Sequence, residues 1–316
     1  IISYFASKKS SDNDAFFLGN RQSPWFLVAI AMVGTSISGV TFVSVPGMVR
    51  GFDMTYMQMV FGFTVGYFII AYVLLPLYYR LNLTTIYGYL EQRFGKYSYK
   101  TGASFFILSK IIGAAARLYL VAIILQTLVF DQWNIPFYVT VTGIILLIWT
   151  YTFRSGIRAI IWTDTLQTSC LILGAILIIW QVATKMDMNL PEIVSTISNN
   201  EHSRIFVFDD WASKQNFFKQ FLSGIFITIV MTGLDQDMMQ KNLTCKSLKD
   251  AQKNMITYGF AFTPINLIFL SLGVLLLVFA SQFNIMLPEQ SDQILPMLAT
   301  EYLGLPVLIF FTIGII

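Results

Sequence analysis

Two short polar stretches interrupt otherwise apolar runs, and both read as places where a membrane helix comes apart. In VAIAMVGTSISGVTFVSVPG the middle, Gly34-Thr35-Ser36-Ile37-Ser38-Gly39, is far richer in glycine and hydroxyls than its flanks, and Thr41, Ser44 and Pro46 follow. Unwound there, the chain offers main-chain carbonyls to a hard cation such as Na+. The plainer alternative is that small residues let two helices approach closely. The second stretch, IVMTGLDQDMMQK, carries Thr232, Gly233, Asp235, Gln236 and Asp237. Its carboxylates also fit an ordinary cytoplasmic helix end, Asp237 above all because Lys241 follows closely. Polar breaks five helices apart point to an inverted-repeat transporter with a central site.

Two charges lie inside apolar windows. Arg117, in SKIIGAAARLYLVAIILQ, falls about 24 Å along a helix expected over 101–130. A guanidinium at that depth can clamp a carboxylate bidentately; a structural ion pair, or a contact to carbonyls of the broken helix, is the other reading. Asp164, in AIIWTDTLQ, must be protonated, paired or ion-bound. That leaves an ion-pathway carboxylate or a buried salt bridge. Gln58, Gln126 and Gln167 are weaker polar candidates, Gln58 best placed for a sugar hydroxyl or a carboxylate. The Met-rich runs at 54–59 and 231–239 read as packing, and Gly62 with Gly66 as close helix contact. His202, the single histidine, reads as a surface residue of an outer loop, and Cys170 and Cys245 offer neither a disulfide nor a metal site.

The elements that must position these groups follow from composition. Of 316 residues 56% are hydrophobic and 12% charged, with a mean hydropathy of +0.67. That excludes a soluble enzyme, a disordered regulator and a nucleic-acid binder, and implies an all-α polytopic membrane protein embedded in a lipid bilayer. Apolar windows at about 24–49, 54–79, 101–130, 136–153, 157–184, 217–240 and 256–282 predict seven complete spans. Apolar fragments at 1–5 and from 303 onward predict a chain truncated at both ends of a longer protein. The expected organisation is a single transmembrane domain over 1–316, with a first repeat at about 24–184 and an incomplete second at about 217–316. The outer loop at about 185–216 is partly helical over Leu190–Ser198. Thirteen cations, among them Arg80, Arg93, Arg158, Lys241 and Lys246, fall on one side of the spans, against a mostly acidic opposite side. The positive-inside rule puts the cations in the cytoplasm of a multi-pass plasma (inner) membrane protein.

With these residues in view, the chain resembles the sodium:solute symporter family, relatives of sodium/glucose, sodium/proline and sodium/sialic-acid symporters. The motifs are DAFFLGNR at 14–21, GTSISG, YGYLEQRFG at 87–95, TFRSGIRAIIWTDTLQ at 152–167 and GLDQDMMQKNLTCKSLKDAQ at 233–252. The resemblance implies a leucine-transporter-type fold with a five-plus-five inverted repeat and sodium-driven alternating access. It implies that Gly34 and Ile37 give carbonyls to sodium, that Ser36, Ser38 and Thr41 face the solute, and that Asp164 serves a second sodium site. It also implies that Arg117 binds a substrate carboxylate. Eighth-helix sodium ligands would come just after Ile316. Two departures stand out: Met231 where sugar-transporting relatives place a tyrosine, and Asp235-Gln236 where relatives usually carry Asn-Gln. Met231, Asp235 and Gln236 are therefore counted with Gln58 among the solute-site candidates. The implied function is sodium-coupled symport of a small organic solute, preferably a carboxylated one such as a sialic acid. A neutral-solute symporter and a transporter-like sensor module are the alternatives. No HExxH, paired catalytic carboxylates or nucleophile–base pair argues for a membrane enzyme.

Overall fold

The apolar runs become helices because every main-chain amide in hydrocarbon needs a partner within its own segment. The computed structural model describes residues 21–83, 85–126, 130–152 and 156–304. Lys8, Lys9, Arg154, the fragment at 1–5, the motif at 14–20 and the apolar run from 305 lie outside them. In chain order the helices are α1 (Trp25–Ser36), α2 (Gly39–Phe52), α3 (Tyr56–Arg80), α4 (Tyr87–Phe94), α5 (Lys96–Leu125) and α6 (Phe137–Thr152). They continue as α7 (Gly156–Lys185), α8 (Leu190–Ser198), α9 (Phe217–Gly233), α10 (Gln236–Asn242), α11 (Leu248–Gln282) and α12 (Ile294–Glu301).

Among the described residues four helices, α3, α5, α7 and α11, are long and apolar enough to cross a membrane, and two bent pairs bring that number to six. The bent pairs are α1 with α2, at 61°, and α9 with α10, at 71°. They fall on the two stretches expected to break. The remaining expected span, the fourth, is α6 with 16 residues, about 24 Å at 1.5 Å per residue and short of the roughly 20 residues that a full crossing takes. The last span begins earlier than hydropathy indicates, at Leu248 rather than 256. Ser247 explains the earlier start: its hydroxyl accepts the Asp250 amide at 3.2 Å, nucleating a polar first turn.

By its internal packing the chain divides into two compact units. The first holds Ile1–Met32, Ile70–Thr165 and Met231–Met255, the second Val33–Ile69, Leu166–Val230 and Ile256–Ile316. In the second unit α3 meets α9 through glycines. A Cβ on Gly62 would stand 2.1 Å from the Phe221 carbonyl oxygen, and one on Gly224 2.2 Å from that of Met59. Gly66 faces Thr228 in the same way, so the Gly62/Gly66 spacing does mark close packing. The α2–α11 contact repeats the device, with Gly273 against the Pro46 carbonyl and Phe42 edge-on to Phe269 at 5.5 Å. α3 and α9 each carry one π-helical turn, at Ile70–Leu74 and Ile229–Gly233. Gly233 is backed by the Leu74 and Ile70 side chains. Single π turns of this kind recur at functional places in helices.

The segment expected as an outer loop carries α8 at the residues expected. Its capping box is complete, with Asn189 accepting from the Glu192 amide and the Glu192 carboxylate accepting from the Asn189 amide at 2.7 Å. The glycine contacts yield a stability prediction. Gly62→Ala should cost about 1–3 kcal/mol through overpacking against main chain, while Gly51→Ala, with nothing within 4 Å of its Cβ position, should be neutral. Equal melting temperatures for both variants in detergent would remove the α3–α9 seam as a source of stability.

Candidate functional site

The first break lies in the second unit. α1 ends at Ser36, where the final carbonyls lose their in-helix donors as at any helix C-terminus. Ser38 then adopts an extended conformation and caps α2, its hydroxyl accepting the Thr41 amide at 3.4 Å. Gly34 and Ile37 are buried at this corner, and Ser36, Ser38 and Thr41 are half-buried. The Ser38 and Thr41 hydroxyls are 3.3 Å apart. Ser36 Oγ lies 2.5 Å from Tyr258 Oη, and the Tyr67 hydroxyl donates to Tyr258 Oη at 3.0 Å. The structure thus brings five of the expected residues to one bend and adds a chain of hydroxyls from α11 and α3. Tyr258 and Tyr67 were not singled out in the sequence. The signal was a tyrosine inside an apolar run, since a buried phenol needs a partner.

Gln58, also in this unit, is fully buried, and its amide is engaged by the outer loop. Nε2 donates to the Gln215 carbonyl at 2.9 Å and to Thr55 O at 3.2 Å, while Oε1 accepts the Val207 amide at 3.1 Å. Its visible role is to anchor that loop. His202 pairs with one carboxylate: Asp53, at the C-terminal cap of α2, lies 2.8 Å from its Nδ1.

The second break lies in the first unit. Asp235 caps α10, accepting the Asp237 and Met238 amides at 3.0 and 3.2 Å. Lys110 of α5 approaches the same carboxylate at 2.8 Å and Asp237 at 3.6 Å. Lys110 is an intramembrane charge that the sequence reading passed over, although a lysine inside the 101–130 window was itself the signal. Gln236 accepts the Ile86 amide at 2.9 Å, and the Tyr78 hydroxyl donates to Gly233 O at 2.8 Å, holding α9 where it ends. Burial, and after it the Asp235 carboxylate, raises the Tyr87 pKa. Met231 is exposed on the π turn.

Asp164 and Arg117 complete this unit. Asp164 Oδ2 is 2.5 Å from Lys241 Nζ, whose side chain is 3% exposed. Lys241, expected among the solvated cytoplasmic cations, is instead turned inward. Arg117 stands on an exposed stretch of α5. Cys245 is buried; desolvation, then Asp250, pushes its thiol up to about 12, and both cysteines are free. Among the described residues no group of three or more His, Cys, Asp or Glu is placed to hold a metal ion.

The second break makes a prediction about its cap. Asp235→Ala strips two amides of their acceptor and leaves Lys110 facing one carboxylate fewer; the lost cap alone costs about 1 kcal/mol. Asp235→Asn keeps a cap acceptor and should be the milder change. Thermal unfolding of the two variants checks the order, and an alanine variant as stable as the asparagine one would rule out the cap.

The sodium:solute symporter family profile matches residues 16–312. The sodium/sialic acid symporter SiaT of Proteus mirabilis is 26% identical over 91% of this chain and 58% of its own length. The sodium-coupled monocarboxylate transporter 2 of Bos taurus is 28% identical over 78% of this chain and 39% of its own length. The chain therefore spans about half the length of the curated relatives it matches. A solved Na+-coupled sialic acid symporter, in a substrate-bound outward-open state, aligns with a TM-score of 0.88 at 25% identity, over 99% of this chain and 66% of that one. The leucine-transporter-type expectation and these matches converge, and a profile reaching from 16 to 312 with both helix breaks in place leaves one assignment: this multi-pass membrane chain belongs to the sodium:solute symporter family.

Proposed function

We propose that the protein carries out sodium-coupled symport of a small carboxylated solute by alternating access, in the plasma (inner) membrane. The observation that carries the reading is the pair of sharp bends in the first and sixth spans of a chain belonging to this family. Bent spans free helix ends at membrane depth, where they can meet ions and polar solutes. Support for a carboxylated solute comes from the relatives, whose names specify sialic acid and monocarboxylates. Support for the inner membrane comes from the one-sided distribution of lysine and arginine in the sequence.

The residues take these roles. Gly34 and Ile37 lend carbonyls to Na+ at the first bend, whose neutral hydroxyls contribute no fixed charge against it. Ser36, Ser38 and Thr41 face the solute, with Ser36 oriented by its Tyr258 contact. Arg117 pairs with the solute carboxylate. Asp164 is the carboxylate of the ion path. Gln58, Asp235 and Gln236 act at one remove from the solute, because their polar atoms hold the outer loop and the second bend. Met231, exposed on the π turn, is the apolar wall where a stacking tyrosine would favour a sugar. Sodium and solute then bind reciprocally, each raising the other's affinity by the same factor.

Solute binding to the purified full-length protein should be markedly tighter in sodium than in potassium buffer for a sialic acid or a monocarboxylate. Unchanged binding between the two buffers would end the sodium-coupled reading. Arg117→Ala should weaken binding of the acidic solute by about tenfold or more, the equivalent of ~1.5–3 kcal/mol for hydrogen bonds to a charged group. Retained affinity at an unchanged protein level would assign Arg117 to structure.

A further inference from the structure

The segment that leads into α9, RIFVFDDWASKQNFF at 204–218, carries five aromatic rings among charged residues. The rings are joined. Phe206 stacks on Phe61 of α3 at 6.0 Å and on Phe208 at 5.8 Å. Phe208 meets Phe217 at 4.8 Å and Phe218 at 6.2 Å, and Trp211 meets Phe218 at 6.2 Å. The outer side of this cluster is open: Trp211 is 67% exposed, and Phe208 and Phe218 are exposed beside it.

The turn that carries Trp211 is closed from within. Asp210 Oδ1 accepts the Ala212 and Ser213 amides at 2.9 and 3.1 Å. Lys219 Nζ donates to the Trp211, Ala212 and Ser213 carbonyls at 2.5, 3.4 and 3.3 Å. The same ammonium lies 5.8 Å from the centre of the Trp211 ring. An indole is thus held outward by a turn whose main-chain groups find partners inside the protein, as a place near hydrocarbon requires.

The helix that follows fixes what the rings face. Phe218, Leu222, Phe226 and Val230 of α9 are all exposed, and their four-residue spacing sets them on one stripe about 18 Å long. From Gln220 to Gly233 the helix holds no charged residue. In a chain of this membrane family such a face belongs in hydrocarbon. Phe218 tops the stripe one turn above Leu222, and Lys219 is the first charge beside it, so the hydrocarbon ends at this level. Trp211 and Phe208, both in ring contact with Phe218, lie there too. An indole, apolar with one polar N–H, favours that boundary, and a lysine head on an apolar stem tolerates it. Arg204, Asp209 and Lys214, the other charges of the segment apart from Asp210, are exposed as headgroup contact demands.

We propose that the turn Asp210–Ser213 is an interfacial anchor, with Trp211, Phe208 and Phe218 seated in the hydrocarbon–headgroup boundary of the lipid bilayer. The partner is a lipid surface, and the anchor sets the depth at which α9 begins. The same segment is tied to α3, because Gln58 accepts the Val207 amide and donates to the Gln215 carbonyl.

The test is tryptophan fluorescence of the purified full-length protein in lipid nanodiscs, wild type minus Trp211→Phe, so that the other tryptophans cancel. The difference signal should lie at shorter wavelength than that of an indole in water. It should lose intensity with lipids brominated at the headgroup end of the acyl chain, lose less with lipids brominated near the terminal methyl, and resist aqueous iodide. Iodide quenching without bromine quenching would overturn the anchor and put the turn in water. Stronger quenching from the terminal-methyl position would overturn the boundary placement. A signal that neither quencher reaches would overturn the proposal as well, the rings then being covered by the rest of the protein or by a second copy. Should Trp211→Phe not fold, Trp211→Tyr serves as the reference under excitation confined to tryptophan, with the same expected difference.

Discussion

In hydrocarbon a main-chain amide or carbonyl without a partner costs several kcal/mol, and the polar chemistry of this chain follows from that constraint. A helix cannot bend sharply in a membrane unless something nearby satisfies the groups set free. At the first bend Ser38 takes the Thr41 amide. At the second, Asp235 takes two amides, Tyr78 takes the Gly233 carbonyl and Gln236 takes the Ile86 amide. Each solution imports a polar side chain that needs partners in turn. Lys110 stands beside Asp235 for that reason, and the Tyr258–Tyr67 pair beside Ser36. The polar residues at the two bends thus form short chains that start at backbone breaks.

The two breaks solve the problem with different chemistry, and the difference divides their roles. The first is neutral, made of serine, threonine and tyrosine hydroxyls that can rotate to offer either a proton or a lone pair. An ion or solute can enter and leave there without separating any permanent charge pair. The second is ionic, with Lys110 against Asp235 and, at the far end of α10, Lys241 against Asp164. Removing Asp164 would strand the buried Lys241, at about 3–5 kcal/mol, whereas the Lys110–Asp235 pair is partly exposed and contributes less. The ionic pairs fix the second bend in place, whereas the first is held by neutral hydroxyls alone. α10, only seven residues long, is held at both ends by carboxylate–lysine contacts, which a helix too short to be stable alone requires.

What was legible in the sequence is what local rules encode. Apolar runs long enough to span, two polar interruptions, the Gly62/Gly66 seam and the capped helix at Leu190–Ser198 each leave a signature within a few residues. Helix starts in polar sequence leave a weaker one, so the beginning of α11 at Leu248 lay outside its apolar window. The pairings left none. Lys110 and Asp235 are 125 residues apart, Asp164 and Lys241 77, and Asp53 and His202 149. Periodicity and composition carry no information over such distances. The positive-inside rule counted Lys241 with the solvated cations because it weighs position along the chain, whereas the direction of the side chain is decided by Thr244 and Ser23 behind it. Gln58 shows the same limit: its depth suits a ligand, but the outer loop claims its amide.

The Lys241–Asp164 pair bears on energetics as well as on geometry. Each unit charge that crosses the membrane field with the solute contributes about 2.3 kcal/mol per 100 mV. A carboxylate neutralised by a lysine of the same protein carries no net charge through that field, however the surrounding helices move. A carboxylate neutralised by a released ion leaves a naked charge behind on the return step. Burial sharpens the contrast, since an unpaired carboxylate on an apolar helix such as α7 is costly throughout the empty half of the cycle. At Asp164 the Lys241 ammonium offsets that cost. The neutral first bend needs no such pair, because the hydroxyls of Ser36, Ser38 and Thr41 and the tyrosine pair behind them carry no charge of their own.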